Sequence, residues 1–457
     1  MISMISTSKP PHLTAQATIE VCSLSRNSIG SLWTMSAKSM LRYLEINLAI
    51  LRCFVSGMMS LQKLPHALWT SSEDRSIHVP MKPCKDYEEK MHRLAEHIRE
   101  RTPPESRIIS THSLLVAHRV LWIAVAATSD NLMLFLLVGS LQFVVAPYSL
   151  AAALMMYVMH TFTHCLGHFA SAVVIYFLLP SGVPRLDLEI NNTFILVFLG
   201  VDFLVTAKYA MVSNSDGLPK QFRTMKNLHH MIYGTFNGKG FLVLLLLMSK
   251  GRSVSLSWIL VDALLGISPL VNNFMQNSIF SWESLFYHIH RMEHLPVVYE
   301  HAHRCHHHLT DGSAWDAHLF SGAGFPEDFF FLLQDIIMLR SGLPVPCMTY
   351  RLLKHQLANK DAHQRREAPY EHEEYHQDHH LHHRANYGFN RPMLDLVFGT
   401  YKRTDKEWID VNDARYKKEM ASNGDIVIHM KVDKVPFPEL SKQNPAGWQL
   451  RLWRFIG

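Results

Sequence analysis

The sequence predicts an all-α protein, a multi-pass membrane helical bundle carrying a histidine-ligated di-metal site at its cytosolic face. Three observations predict it. Apolar runs at 132–159 ("LMLFLLVGSLQFVVAPYSLAAALMMYVM"), 193–212 ("TFILVFLGVDFLVTAKYAMV") and 254–271 ("VSLSWILVDALLGISPLV") are each about as long as the roughly 20 residues that span hydrocarbon. Lys and Arg gather beside these runs, in 82–107, 220–226, 350–366 and 402–418, as in segments retained on the cytoplasmic side. Histidines crowd two polar patches that follow the runs, "HRCHHHLTDG" (303–312) and "HQDHHLHHRANYG" (376–388).

Taken in order, residues 1–80 are rich in Ser and Thr and poor in acid, which predicts a disordered or targeting segment. Residues 81–112 hold a polar amphipathic helix, "DYEEKMHRLAEHIRER" (86–101), and a linker opened by Pro103 and Pro104. Transmembrane helices fill 113–280, the first of them interrupted by His118 and Arg119. The histidine region is 281–402. Within it "GFPEDFFFLLQDIIML" (324–339) is too short to cross a bilayer, so it predicts a re-entrant or interfacial piece that keeps both patches on one side. A polar tail, 403–457, contains one strand-like stretch, "DIVIHMKV" (425–432).

Composition excludes several classes. The formal charge of +5 over 457 residues does not suggest a nucleic-acid partner. The six cysteines, Cys22, Cys53, Cys84, Cys165, Cys305 and Cys347, show no CxxC and no paired spacing, which fits a reducing compartment rather than a disulfide framework. No GxGxxG fingerprint is present, so a nicotinamide cofactor would act through another protein.

The chemistry lies in histidine register. His290 and His294 are spaced i, i+4, which sets both rings on one helical face. His303, His306 and His307 form HxxHH, and His376, His379 and His380 repeat it. Eight convergent imidazoles are too many for one tetrahedral ion and suit two metals. Imidazole binds zinc, copper, iron or nickel, so spacing alone leaves the metal open. His308, His382 and His383 break the register and read as polar surface residues.

The stretch "YHIHRMEHLPVVYEHAHRCHH" (287–307) and the later "HQDHHLHHRANYGFNRPMLDLVFGTY" (376–401) together resemble the fatty acid hydroxylase superfamily, which includes sterol desaturases and methyl-sterol oxidases. The eight histidines fill its three boxes. Asn386, Tyr387 and Gly388 match its Asn-Tyr-Gly element, and Asp395, Phe398, Gly399 and Thr400 match its closing motif. The resemblance implies a non-haem di-iron oxygenase, with two irons per chain, that hydroxylates or desaturates a sterol or long-chain acyl lipid using O₂. It implies an endoplasmic reticulum membrane with the site facing the cytosol, an organellar membrane being the alternative. The chain lacks the His-Pro-Gly-Gly haem signature of a fused cytochrome b5, so electrons are expected from a separate donor of that kind and its NAD(P)H reductase. Asn386 and Asp395 are expected to support the ligands from behind.

Two departures stand out. Relatives add a pair of histidines between the second and third boxes; here His355 and His363 are candidates whose spacing to His376 does not clearly match, and His318 is a further, looser one. Position 288 is His where the family more often has an aromatic residue. Outside the boxes, His160, His164 and His168 form a stripe that reads more readily as packed, neutral imidazoles than as ligands. Two rival readings remain: a histidine-rich metal transporter, which leaves the "NYG" and "LVFGTY" motifs unexplained, and an inactive family member.

Overall fold

The structure is a computed structural model that describes residues 37–65, 75–102, 112–161, 187–212, 240–255, 282–303, 383–388, 393–402 and 416–430, with single positions between them that include His307, His379 and His380. In chain order the elements are helix α1 (Ala37–Leu61), strand β1 (Arg75–Val79), and helices α2 (Met81–Arg101), α3 (His112–Thr128), α4 (Leu132–Ser140) and α5 (Gln142–Val145). A 3₁₀ turn (Pro147–Ser149) leads to α6 (Leu150–His160), then come β2 (Asp187–Glu189), α7 (Asn192–Val212), α8 (Gly240–Met248) and β3 (Ser253–Ser255). Helix α9 (Trp282–Glu293) carries the first histidines into a π turn, Tyr299–His303, and α10 (Met393–Phe398), β4 (Tyr416–Met420) and β5 (Ile426–Met430) close the chain.

Helix α1 lies inside the first eighty residues, where the sequence suggests disorder or a targeting segment. One of its faces is buried through Ile46, Ile50, Phe54, Met58 and Leu61, a helical spacing of three and four. Its opposite face exposes Met40, Leu41, Leu44, Leu48, Val55 and Met59. A helix apolar all round belongs in a core or a bilayer. Residues Met40–Leu61 form a helix long and apolar enough to cross a membrane.

The other expected spans come out differently. The 132–159 run is two segments, Leu132–Val145 and Pro147–Met159, bent by 103° at Ala146. Pro147 cannot continue the hydrogen-bond ladder, and Asn47 of α1 serves the groups left over. Its amide donates to the Pro147 carbonyl at 2.9 Å and its oxygen accepts from Ala151 N–H at 2.8 Å. Helix α7 covers the 193–212 run, and its apolar described part is Asn192–Leu204. The 254–271 run opens on β3, and beyond it only Ser257 is among the described residues. Among the described residues, then, one helix meets the spanning criterion, or two if the bent pair counts as one span. Of 324–339, the described positions are helical, and Phe329 packs on Trp122 and Phe143.

The fold is mostly helical rather than all-α. Strand β1 pairs antiparallel with β5, and β5 with β4, so a piece of the expected tail joins the expected leader in one sheet of order β1-β5-β4. Ile77, Val79, Ile426 and Ile428 are buried there. Helix α2 follows β1 directly, and the Asp425 carboxylate accepts from Met81 N–H at its N-terminus (3.3 Å), where negative charge is favoured. Cys84, Tyr87, Met91, Leu94 and Ile98 form the buried stripe of α2, while pairs such as Glu89–Arg93 line its wet side.

Helix α9 is enclosed over most of its described length. Residues 284–290 are buried without interruption. The guanidinium of Arg291 binds Glu88 of α2 through both nitrogens. His288 turns away from the other histidines of α9: its Nε2–H donates to the Phe54 carbonyl at 3.2 Å and its Nδ1 accepts from Tyr87 O–H at 2.6 Å. Gly57 makes room for it, since a Cβ there would lie 2.3 Å from the imidazole.

Candidate metal centre

Helix α9 ends at Glu293, and the chain reverses through Leu295–Val298. Val297 is buried with φ of +70°, a backbone state a β-branched residue rarely takes. That reversal feeds the π turn and sets His303 against His290. Near its C-terminal end, α9 presents His290, and His294 follows on the same side.

Among the described residues, five histidines converge: His290, His294, His303, His307 and His379 each place one ring nitrogen within 4.8 Å of all the others. His290 Nε2 is 3.1 Å from His303 Nε2, and His307 Nε2 is 3.0 Å from His303 Nε2. His379 Nε2 lies 3.0 Å from both His294 Nε2 and His307 Nε2. Nitrogens bound about 2.1 Å from one ion at right angles would be about 3.0 Å apart. Four of the five rings are buried and His294 is half-buried.

The proton positions follow from the carbonyls behind the rings. His290 Nδ1 meets the Tyr387 carbonyl at 2.8 Å, and His379 Nδ1 meets the Ala385 carbonyl at 2.6 Å. A carbonyl only accepts, so each Nδ1 carries the hydrogen and each Nε2 turns a lone pair inward. Lone pairs packed this closely repel unless a cation lies among them, so the donor set fits a metal ion. Burial, with neighbouring imidazoles adding to it, holds His307 and His379 well below the usual imidazole range. Both are therefore neutral at physiological pH, as ligation requires.

Residues 385–387 are fixed by a second set of bonds. Asp395, at the start of α10, accepts from Tyr387 N–H and Gly388 N–H, both at 2.8 Å, and from the Thr400 hydroxyl at 2.6 Å. Asn386 has φ of +59° and bonds both ways with Lys402, its amide donating to the carbonyl (3.1 Å) and its oxygen accepting from N–H (2.9 Å). These bonds anchor the segment whose Ala385 and Tyr387 carbonyls meet His379 and His290.

His380 is buried and stacks on His307 with ring centroids 4.4 Å apart, outside the five-nitrogen group. His306 and His376 lie outside the described residues, as do His318, His355, His363, His164 and His168; the side chain of His160 does too. His383, read from sequence as a surface residue, is half-buried: its ring is 4.8 Å from His307 and its Nδ1 is 3.2 Å from Tyr299 O–H.

Sequence reasoning missed a side chain and two backbone groups. Glu293, between the box histidines, is buried with a carboxylate oxygen 3.5 Å from His303 Nδ1. The carbonyls of Ala385 and Tyr387 carry no side-chain signal at all. His288, noted from the sequence as a departure, serves the packing of α9 on α1 and α2 and is held down to about 3 by burial.

A family model described as fatty acid hydroxylase matches residues 277–400, which encloses all the histidines of the cluster. No curated protein and no solved structure matches the chain.

Proposed function

From the premise that residues 277–400 carry the fatty acid hydroxylase signature, we propose that this chain is a membrane-bound, iron-dependent lipid oxygenase that hydroxylates or desaturates a sterol or long acyl chain. The observation that carries the reading is the inward-facing set of imidazoles, with His290 and His379 locked as Nε2 donors by the carbonyls of Tyr387 and Ala385.

His290, His294, His303, His307 and His379 would hold the metal, with His306, His376 and His380 completing a ligand set for two irons. Bound there, iron supplies the redox chemistry that couples O₂ reduction to attack on an unactivated C–H bond. For hydroxylation the balance is RH + O₂ + 2e⁻ + 2H⁺ → ROH + H₂O. The chain's own residues keep the site dry and pre-set. Asp395 and Asn386 fix the backbone that orients two rings, so little reorganisation is needed as the metal changes charge. The two electrons would come from a separate carrier, a cytochrome b5-type protein fed by an NAD(P)H reductase. The expected home is the endoplasmic reticulum membrane with the site facing the cytosol; the apolar outer face of α1 supports membrane attachment.

Expression in a host stripped of sterol and fatty-acid oxidases, under ¹⁸O₂, tests the reading. A hydroxylated lipid carrying one ¹⁸O, or a desaturated one, should appear with the wild-type chain and vanish with His379→Ala. An unchanged lipid profile despite a metal-loaded protein and a supplied donor would refute it.

A further inference from the structure

Helix α1 is long and apolar enough to cross a membrane, but its neighbour α2 is not free to follow it. Glu45 of α1 pairs with Arg101 of α2, and Lys90 of α2 donates to the Ser56 and Ser60 hydroxyls at 2.9 and 3.0 Å. These contacts hold the two helices antiparallel and side by side over residues 45–60, about 22 Å at 1.5 Å per residue. Helix α2 exposes charge from end to end, through Lys85, Glu89, Arg93, Glu96, Glu100 and Arg101. Were α1 to cross roughly 30 Å of hydrocarbon, α2 would carry those side chains to bilayer depth beside it, where ionised groups are strongly disfavoured. The outer face of α1 is nonetheless apolar. Leu41, Leu44, Leu48, Val55 and Met59 recur at steps of three, four and seven and are 46–68 % exposed. Arg52, also exposed, fills the gap in that stripe.

We infer that α1 lies flat in the membrane surface as an in-plane anchor, its aliphatic stripe sunk into the boundary between headgroups and acyl chains and α2 beside it at headgroup level. The inference rests on the reading of the chain as membrane-bound. Three features choose lipid over a protein partner. The stripe holds no Trp or Tyr, the residues that anchor protein interfaces. Similar aliphatic exposure recurs at Leu121 of α3, Leu137 of α4 and Leu196 of α7, which one apolar solvent covers and separate partners would not. Arg52 has a stem long enough to run along the helix and set its guanidinium against lipid phosphates. The orientation also places the metal centre. On the side of α1 away from the stripe, the Phe54 carbonyl and Gly57 meet His288 of α9. The histidine cluster is therefore carried one helix layer, about 8–10 Å, behind the anchor, on its aqueous side.

A spanning helix and an in-plane helix differ in how depth changes along them. The test uses the unaltered full-length chain in vesicles of phosphatidylcholine and phosphatidylserine. Each preparation contains a phospholipid with a photoreactive diazirine, placed either near the carbonyl end or at the tip of one acyl chain. After irradiation the adducts are mapped by mass spectrometry. The in-plane anchor predicts adducts from the shallow probe at Leu41, Leu44, Leu48, Val55 and Met59 alike, and loss of all five with the deep probe. Deep-probe adducts centred near Leu48 with shallow ones only at the helix ends would mean that α1 spans, and would overturn the inference while leaving the chain membrane-bound. Adducts on other segments but none on α1 would also overturn it, because a second copy or another protein then covers the stripe. A chain that takes up no lipid probe anywhere would overturn both the inference and the membrane-bound reading.

Discussion

Two carbonyls decide which nitrogen of each ring faces the centre. With Ala385 and Tyr387 accepting from His379 and His290, both Nε2 atoms are committed before any metal arrives. His379→Ala should therefore abolish metal binding and turnover together, read by metal content and lipid product. His383→Ala should keep its metal, because that ring packs beside His307 without joining the five nitrogens. Asp395→Asn turns one of the two oxygens that accept from Tyr387 and Gly388 N–H into an NH2 donor facing a donor, and should destabilise the protein by about 1–3 kcal/mol.

Acid acts on the same residues. His307 and His379 have folded pKa values below their unfolded ones, so the unfolded chain binds more protons in the interval between. Stability is then intact above roughly pH 6.5 and falls as the pH drops below it. Metal-free protein should show a falling melting temperature across that window, and loaded protein should release metal there. At this scale the register of the boxes was legible in the sequence, because histidine spacing survives without coordinates. Glu293 was not: a lone acid between two histidines looks like ordinary surface charge until burial is known.

Among the elements, α9 is the part held from the most sides. His288 joins it to the Phe54 carbonyl of α1 and to Tyr87 of α2, and Arg291 joins it to Glu88. Gly57→Ala would push a methyl group into the His288 imidazole, and neither α1 nor the buried ring has room to yield. The expected cost is about 1–3 kcal/mol in stability, as for overpacking in general, with weaker metal binding as α9 shifts; chemical denaturation and Co²⁺ titration read the two effects. Tyr87→Phe leaves a buried imidazole nitrogen without its donor and should cost about 1–3 kcal/mol on the same assay. The sequence made helix α2 readable through its charged face, yet its buried stripe of Cys84, Tyr87, Met91, Leu94 and Ile98 proved to be the working side. The bend at Ala146 was unreadable as such. Pro147 gives the hint, but the partner that makes the break tolerable, Asn47, is a hundred residues away.

In the whole molecule, segments far apart in sequence are fastened around the histidines. The sheet ties Arg75–Val79 to Ile426–Met430, and Lys418 of β4 donates to the Leu396 carbonyl of α10 at 2.6 Å. That pairing is long-range, so periodicity within either segment could not announce it; only the strand character of 425–432 was legible. Deleting residues 403–457 should lower metal retention even though no box is touched, because α10 and Asp395 lose that support. Sidedness belongs to this scale too. Cysteines introduced at Thr310, Asn359 and Lys406 should all react with an impermeant thiol reagent from the cytosolic side, and lumenal labelling of Asn359 or Lys406 would separate the third box from the other two.

The central claim is that these histidines hold iron, and iron analysis of the chain purified from membranes tests it most directly. The account predicts about two irons per wild-type chain, and far less in His379→Ala at equal folding by circular dichroism. Iron absent from the wild-type protein after growth with iron and reconstitution with Fe²⁺, or retained in full by His379→Ala, would contradict it.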